Sequence, residues 1–454
     1  MIRTDSVLRI IKSIALPGIL SLMLGCAGVP TIDQVNADVY RDRLQPPLSN
    51  SDRQSLSQQL QLSHALIMGA SRSPMLHAER EQWRAAVEKE PQAVSLEDPM
   101  VMAGKRLANV GPMMDLQAWR AGVTQTIPWW QKLSSQGNIA ATESDMAAIR
   151  YEAALRDLVI EIKDSYYELC YLDQALAITE QIESLLKNEA LLAYQELTVG
   201  RTQLHEAFRA ESWSAQLAYD RILLSEQRAA QAERMKALLN LPPDTTIGPV
   251  QTCPLYVVSD LIDPLYQRAE DYSSVLKIRG LEIVRAGYER FLAQLSRIPD
   301  INLGFDFMKM PGDPDAWAGL FAMNLPIWEQ RNQALIREKK AMEQAAWYEA
   351  LQDTNQVRQV VTQTYFAVQL TRRLADLYAD TLLPQSESVM HQAELFFRNG
   401  QASFSNLIES TLAFHNFQLA YHRALADHGQ AIGRLEQVVG TTVEAASPEE
   451  GPQK

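Results

Sequence analysis

Cysteine is scarce in this chain of 454 residues. There are three, Cys26, Cys170 and Cys253, far apart and forming no CxxC, so neither a disulfide framework nor a zinc site is expected. Positive charge is short as well. The net charge of −13 leaves a nucleic-acid partner without electrostatic support. Aromatic residues make up 7% and charged residues 21%, which excludes both a chain disordered by composition and a bundle of membrane helices. After residue 26 no stretch stays apolar for the roughly 18 residues that a membrane helix needs, so any membrane crossing must be made by strands. Catalytic signatures are missing: there is no Gly-rich phosphate loop, no GxSxG and no HExxH. The seven histidines are scattered, and His205 beside Glu206 puts adjacent side chains on different helix faces, which makes no chelate. No enzyme activity, metal or cofactor is expected.

The first residues differ from the rest. Arg3, Arg9 and Lys12 precede an apolar run over 14–24, and Gly25-Cys26 follows. The run is short for a bilayer span and reads as a signal peptide over 1–25. Met23-Leu24-Gly25-Cys26 resembles a bacterial lipobox, which makes Cys26 the expected site of a covalent lipid and 26–54 an anchored linker. Ala27 follows, rather than the aspartate that retains lipoproteins in the inner membrane.

What the chain does contain is an internal repeat. Trp119-Arg-Ala-Gly-Val-Thr-Gln-Thr-Ile127-Pro128-Trp-Trp130 corresponds to Trp317-Ala-Gly-Leu-Phe-Ala-Met-Asn-Leu325-Pro326-Ile-Trp328. Tyr151, Gly200 and Leu217 correspond in order to Tyr348, Gly400 and Leu419, at offsets between 197 and 202. The spacing predicts copy one over 55–245 and copy two over 255–440, with a helix stop at Leu241-Pro-Pro-Asp between them. The tail 441–454 reads as disordered.

Each copy is expected to run helix, β-hairpin, then two long helices meeting at Gly200 or Gly400. The first helices are predicted over 56–86 and 261–295, and the hairpins over about 99–127 and 300–326. In copy two Ile301, Leu303, Phe305 and Phe307 alternate with Asn302, Gly304 and Asp306, and Trp317, Phe321, Met323 and Leu325 share one side of the return strand. In copy one Trp119, Ala121, Val123 and Ile127 alternate with Arg120, Thr124 and Thr126. A period of two over about ten residues is what a transmembrane strand requires. The helices are long: 327–399 holds no glycine and one proline, Pro384, and 201–240 holds neither. Leu155, Leu158, Ile162, Tyr166, Leu169, Leu176, Ile182 and Leu185 recur at threes and fours, close to coiled-coil spacing. About seventy helical residues at roughly 1.5 Å each span on the order of 100 Å, a length suited to a tube.

This plan resembles the TolC-type outer-membrane efflux proteins, over nearly all of 55–440. The motifs that carry the resemblance are Ile127-Pro128 and Leu325-Pro326 at the strand-to-helix turns, the tip glycines Gly200 and Gly400, and Phe397 three residues before the second. The lipobox suggests the lipoprotein branch that partners RND-type pumps. The resemblance implies a homotrimer in which four strands per protomer close a barrel of about twelve, continued by an α-helical periplasmic tunnel. It implies an outer-membrane lipid environment, a periplasmic adaptor and an inner-membrane transporter as partners, and the passive export of small molecules or ions. The family places two acidic residues three apart after the copy-two glycine, forming rings at the constriction. Alignment on Gly400 puts Asn406 and Glu409 there, so this ring keeps one charge of the two. Alignment on Gly200 puts Glu206 at the matching tip. Phe397, Gln401 and Arg209 are candidate tip contacts. Met100, Met102, Met113, Met114, Met308, Met310 and Met323 lie in or near the hairpins; thioethers suit Cu(I), but adaptable apolar filling is the stronger reading. Two rival readings are a periplasmic adaptor, which would carry one helical hairpin, and a coiled-coil scaffold without a pore.

Overall fold

A computed structural model of the protein describes residues 48–105, 119–198, 204–250, 253, 255–258, 261–309, 314–443 and 445–446. Residues 1–50 form one unit and 51–454 a second, and the architecture below is that of the second. The signal segment, Cys26, Gly200, Met113, Met114 and Met310 lie outside the described residues.

Both copies carry the plan. Copy one opens with α1 (Asn50–Gln58), α2 (Leu62–Arg72), α3 (Pro74–Val87) and α4 (Lys89–Val94). The single helix expected over 56–86 is therefore broken. Ser73 is extended, its Oγ accepts from the Leu76 amide at 3.4 Å, and Pro74 starts the next helix, where its missing N–H costs nothing. Copy two opens with α7 (Ile262–Tyr272) and α8 (Ser274–Leu295), divided in the same way at the extended Ser273.

The long helices follow the hairpins. Copy one has α5 (Trp130–Thr198), 69 residues, and α6 (Leu204–Leu238). Copy two has α9 (Glu329–Leu377), a π-helical turn (Tyr378–Leu382), α10 (Leu383–Arg398) and α11 (Phe404–Val439). The expected helix over 327–399 is thus interrupted. Pro384 falls at the start of α10, where it is tolerated, and the π turn just before it takes up the change in helical register. α5 packs along α6, α8 and α11, and α9 along α8 and α11. Leu158, Ile162, Tyr166, Leu169 and Ile182 are buried as their spacing predicts. Leu185 is not: Leu186, four residues after Ile182, takes the inner place, because 3.6 residues per turn carries the stripe past 185.

The cysteine expectation is corrected. Cys170 on α5 and Cys253 in the linker between the copies form a disulfide, with Cα atoms 6.0 Å apart and a sequence separation of 83. Sequence spacing does not reveal it, because the fold returns the linker to the flank of α5. Cys253 and Leu255 also pack on the buried cluster of Ala375, Ala424 and Leu425, as do Tyr378 and Tyr421. Near this linker β3 (Val257–Val258) pairs with β6 (Ala445–Ala446), so ordered backbone extends past residue 441, where a disordered tail was expected.

The four hairpin strands are β1 (Met100–Lys105), β2 (Trp119–Ile127), β4 (Ile301–Lys309) and β5 (Ala316–Met323). They form one antiparallel sheet in the order β1-β2-β4-β5. The two hairpins are joined through β2 and β4, where Ile127 faces Ile301 and Trp119 faces Lys309. β1 and β5 are the outer strands, each with one edge unpaired among the described residues. No helix among the described residues is long and apolar enough to cross a membrane.

Candidate functional site

The register sorts the sheet into two chemically distinct faces. One carries Val101, Trp119, Val123, Ile127, Ile301, Leu303, Phe305, Phe307, Trp317, Phe321 and Met323. These side chains have little to pack on within the protomer: Phe305 is 52% exposed and Trp317 65%. Phe307 lies 4.7 Å from Trp317 and 5.1 Å from Trp119 by ring centroids, forming an aromatic cluster at the end of the sheet where Lys105 and Lys309 flank Trp119. An exposed apolar face ending in aromatics is what a bilayer favours and water does not.

The opposite face is polar and small. It holds Arg120, Gly122, Thr124, Thr126, Asn302, Gly304 and Asp306. Thr126 Oγ1 donates to Asn302 Oδ1 at 2.7 Å, and Arg120 donates to Asp306 at 2.5 Å. Of the described hairpin methionines, Met100, Met102 and Met308 are on this face and Met323 is on the other. Among the described residues no cluster of three or more His, Cys, Asp or Glu side chains is placed to hold a metal ion.

Below the sheet, Pro128 lies between β2 and α5, and Pro326 between β5 and α9, at the two strand-to-helix turns. Lys132 in the first turn of α5 donates to Asp300 Oδ1 (2.8 Å) and to the Ile298 carbonyl (2.7 Å), tying one hairpin's exit to the other's entry.

At the far ends of the long helices lies the copy-two tip. Gly400 closes α10 in the left-handed region, φ +71°, and the amides of Gln401 and Ala402 both donate to the Phe396 carbonyl. Ser403 then caps α11, accepting from the Asn406 amide at 3.4 Å. Phe397 packs on Phe404 at 5.3 Å, in a core with Ile182, Leu186, Leu217, Leu407 and Ile408 that holds both copies' helices together. Gln401 is exposed.

Asn406 and Glu409, three residues apart on α11, both face outward. Glu409 lies 3.5 Å from Arg209 of α6, and Arg209 also donates to Ser405 Oγ at 3.1 Å. The candidate charge of copy two is thus paired with a candidate contact of copy one. Glu206 is in the first turns of α6, and its side chain lies outside the described residues.

Two carboxylates near the tip were not singled out from sequence. Glu183 is buried and accepts from Lys187 Nζ (2.6 Å) and Arg221 Nε (2.8 Å); the Lys187 hydrogen bond leads in holding its carboxyl below the ordinary range. Glu189 is buried with an unpartnered Oε2. Burial, with the nearby Glu394 carboxylate adding to it, pushes Glu189 up to about 7. Its position was readable as a Glu seven residues after Ile182, on the apolar stripe.

No protein-family model and no curated protein matches the chain. Solved structures do. The fold is that of the outer-membrane channel proteins. The outer membrane protein VceC from Vibrio cholerae is similar at a TM-score of 0.72 and 17% identity, over 84% of this chain and 97% of that one. A membrane protein from Pseudomonas aeruginosa gives 0.73 and 15%, over 88% and 94%. The open state of the MtrE outer membrane channel of Neisseria gonorrhoeae gives 0.67 and 14%, over 87% and 94%. The duplicated helical plan and the four-strand sheet are thus shared across nearly the full length of these structures.

Proposed function

We propose that the chain is one protomer of a homotrimeric outer-membrane channel of a tripartite efflux system, a passive duct rather than an enzyme. The observation that carries this is the sheet. Four strands with one apolar face, one polar face and two open edges cannot rest in a membrane alone, since every backbone group in hydrocarbon needs a partner. Three copies joined edge to edge give a closed barrel of about twelve strands, with Phe305, Trp317 and Phe321 toward lipid and Arg120, Thr124 and Asn302 toward the lumen. The long helices then continue the lumen into the periplasm.

The tips form the constriction. Three copies of Glu409 create a negative ring that favours cations, weaker than a two-carboxylate ring because Asn406 holds the second place. Arg209 partly neutralises Glu409 in the closed protomer, and Glu206 adds the copy-one contribution. A periplasmic adaptor and an inner-membrane pump of the RND type engage these tips, and a lipid on Cys26 anchors the N-terminus. The similarity in fold to outer-membrane channels and the two-copy helical plan support this reading over a one-hairpin adaptor.

The test is single-channel conductance of detergent-purified protein in a planar bilayer, for wild type and Glu409→Ala. A small cation-selective conductance that loses selectivity in the variant supports pore and ring together. A conducting pore indifferent to the change keeps the channel and removes Glu409 as its filter. Protein that stays soluble without detergent and never conducts sinks the channel reading.

A further inference from the structure

The polar face of the sheet carries formal charge at two described positions, Arg120 on β2 and Asp306 on β4. Lys105 and Lys309 fall on the apolar face, in the row of Trp119 at one end. The rest of the polar face is neutral and mostly small among the described residues, so no other charged strand residue shares that face with the pair.

The pair is built unevenly. Asp306 lies opposite Gly122, and a Cβ at that glycine would stand 1.8 Å from Asp306 Oδ1. The carboxylate therefore lies down in the slot that glycine leaves, and its side chain is 4% exposed. Arg120, two residues before Gly122 on the same face, reaches over the slot and donates from Nη2 to Oδ2 at 2.5 Å, while its side chain stays 44% exposed. Asp306 Oδ1 is buried with no hydrogen-bond partner, so the anion is held by one charged donor. The cation is shown and the anion is hidden. β2 comes from copy one and β4 from copy two, so the pair also bridges the junction between the repeats.

We infer that Arg120 and Asp306 are the residues that set the charge selectivity of the barrel section, Asp306 acting as a mask that keeps Arg120 from presenting a full positive charge to the lumen. The inference rests on the channel reading above. With the pair closed, these two residues contribute no net charge and only a weak dipole with its positive end inward, so the barrel section itself favours neither sign. Without Asp306, three guanidinium groups face the lumen and small anions are favoured. Without Arg120, three carboxylates lose the charged partner they have among the described residues, turn toward water and favour cations.

The experiment compares full-length wild type, Asp306→Asn, Arg120→Gln and the double variant. Reversal potentials are measured under a KCl gradient at or below about 0.1 M, where the Debye length is roughly 10 Å or more and wall charge reaches into the lumen. The potassium-to-chloride permeability ratio is expected to fall several-fold in Asp306→Asn, rise several-fold in Arg120→Gln and return close to wild type in the double variant. A second readout is independent of the tips: phenylglyoxal, a neutral arginine reagent, should modify Arg120 several-fold faster in Asp306→Asn than in wild type, measured by mass spectrometry on the assembled protein. If Arg120→Gln fails to assemble, Asp306→Asn and the double variant still decide. Conducting variants that keep the wild-type ratio, with unchanged Arg120 reactivity, overturn the inference alone. Wild-type protein that does not conduct overturns the channel reading and the inference with it.

Discussion

The two repeats are built to one plan and differ where the chain has to be tuned. In copy one the long helix α5 runs unbroken through 69 residues. In copy two the equivalent stretch is divided by the π turn Tyr378–Leu382 and Pro384. The offset between the copies rises from 197 at Tyr151 and Tyr348 to 200 at Gly200 and Gly400, so copy two carries three extra residues in its long helix. The π turn lies inside that interval. A π turn accommodates added residues without breaking the helix, and it changes which side chains face inward beyond it. The copy that carries Glu409 is thus the copy whose long helix is interrupted before its tip, beside a partner that is not. The strands differ too. Gly122 of copy one is pressed by Asp306, whereas Gly319, its near counterpart, has nothing within 4 Å of a would-be Cβ.

The largest test of this asymmetry is the disulfide that ties the inter-copy linker to copy one. Opening an 83-residue closure removes up to about 4.5 kcal/mol of unfolded-state constraint, so Cys253→Ser is expected to lower the thermal midpoint and to speed proteolysis within the linker, measured on detergent-solubilised protein. Intact stability in that variant would show that the packing of Leu255 alone fixes the linker.

Next comes the glycine pair. Gly122→Ala forces Asp306 out of its slot and is expected to cost about 1–3 kcal/mol, as overpacking does. Gly319→Ala meets open space and is expected to be neutral or slightly stabilising, by less than about 1 kcal/mol. Thermal unfolding of the sheet, followed by circular dichroism, separates the two; equal effects would contradict the unequal packing.

The carboxylates of α5 give opposite pH dependences. Glu189, raised to about 7, contributes stability that is fully present below the ordinary carboxylate range and is lost as pH rises through 7. Glu183, held low by Lys187 and Arg221, contributes stability present above that range and lost as pH falls through its folded value. Glu189→Gln should therefore flatten the loss of tip stability that otherwise runs from the ordinary carboxylate range up to about pH 7. Glu183→Gln should cost about 1–3 kcal/mol at neutral pH and remove the acid limb. Hydrogen exchange of the α5 and α11 tip segments across pH reads both, and a Glu189→Gln profile identical to wild type would contradict its burial as a neutral acid.

The smallest effect is expected at Arg209 and Glu409. Both are at least half exposed, so Arg209→Ala should change stability by no more than about 1 kcal/mol. A much larger loss would mean that the contact is buried in the assembled protein.

Much of this fold was legible in the sequence, for local reasons. Period-two alternation placed Phe305 and Asp306 on opposite faces, and glycine-free, proline-poor stretches marked the long helices, because both signals depend only on neighbouring residues. The tip turn was legible for the same reason: a left-handed C-cap asks for Gly400. Several features were not. Ser73 and Ser273 end helices that their hydrophobic spacing would continue, since spacing records the inward face and not the point at which the chain bends. Leu186 displaced Leu185, because a small error in period accumulates along a long helix.

The sequence by itself determined the duplication, the strand faces and which stretches are helical, all consequences of short-range pattern. Only the tertiary structure decided which distant groups meet: Cys170 with Cys253, Arg120 with Asp306, Arg209 with Glu409. These pairs span 83 to 200 residues. Pairing over that distance depends on the summed packing of every element between, and no local signal carries it.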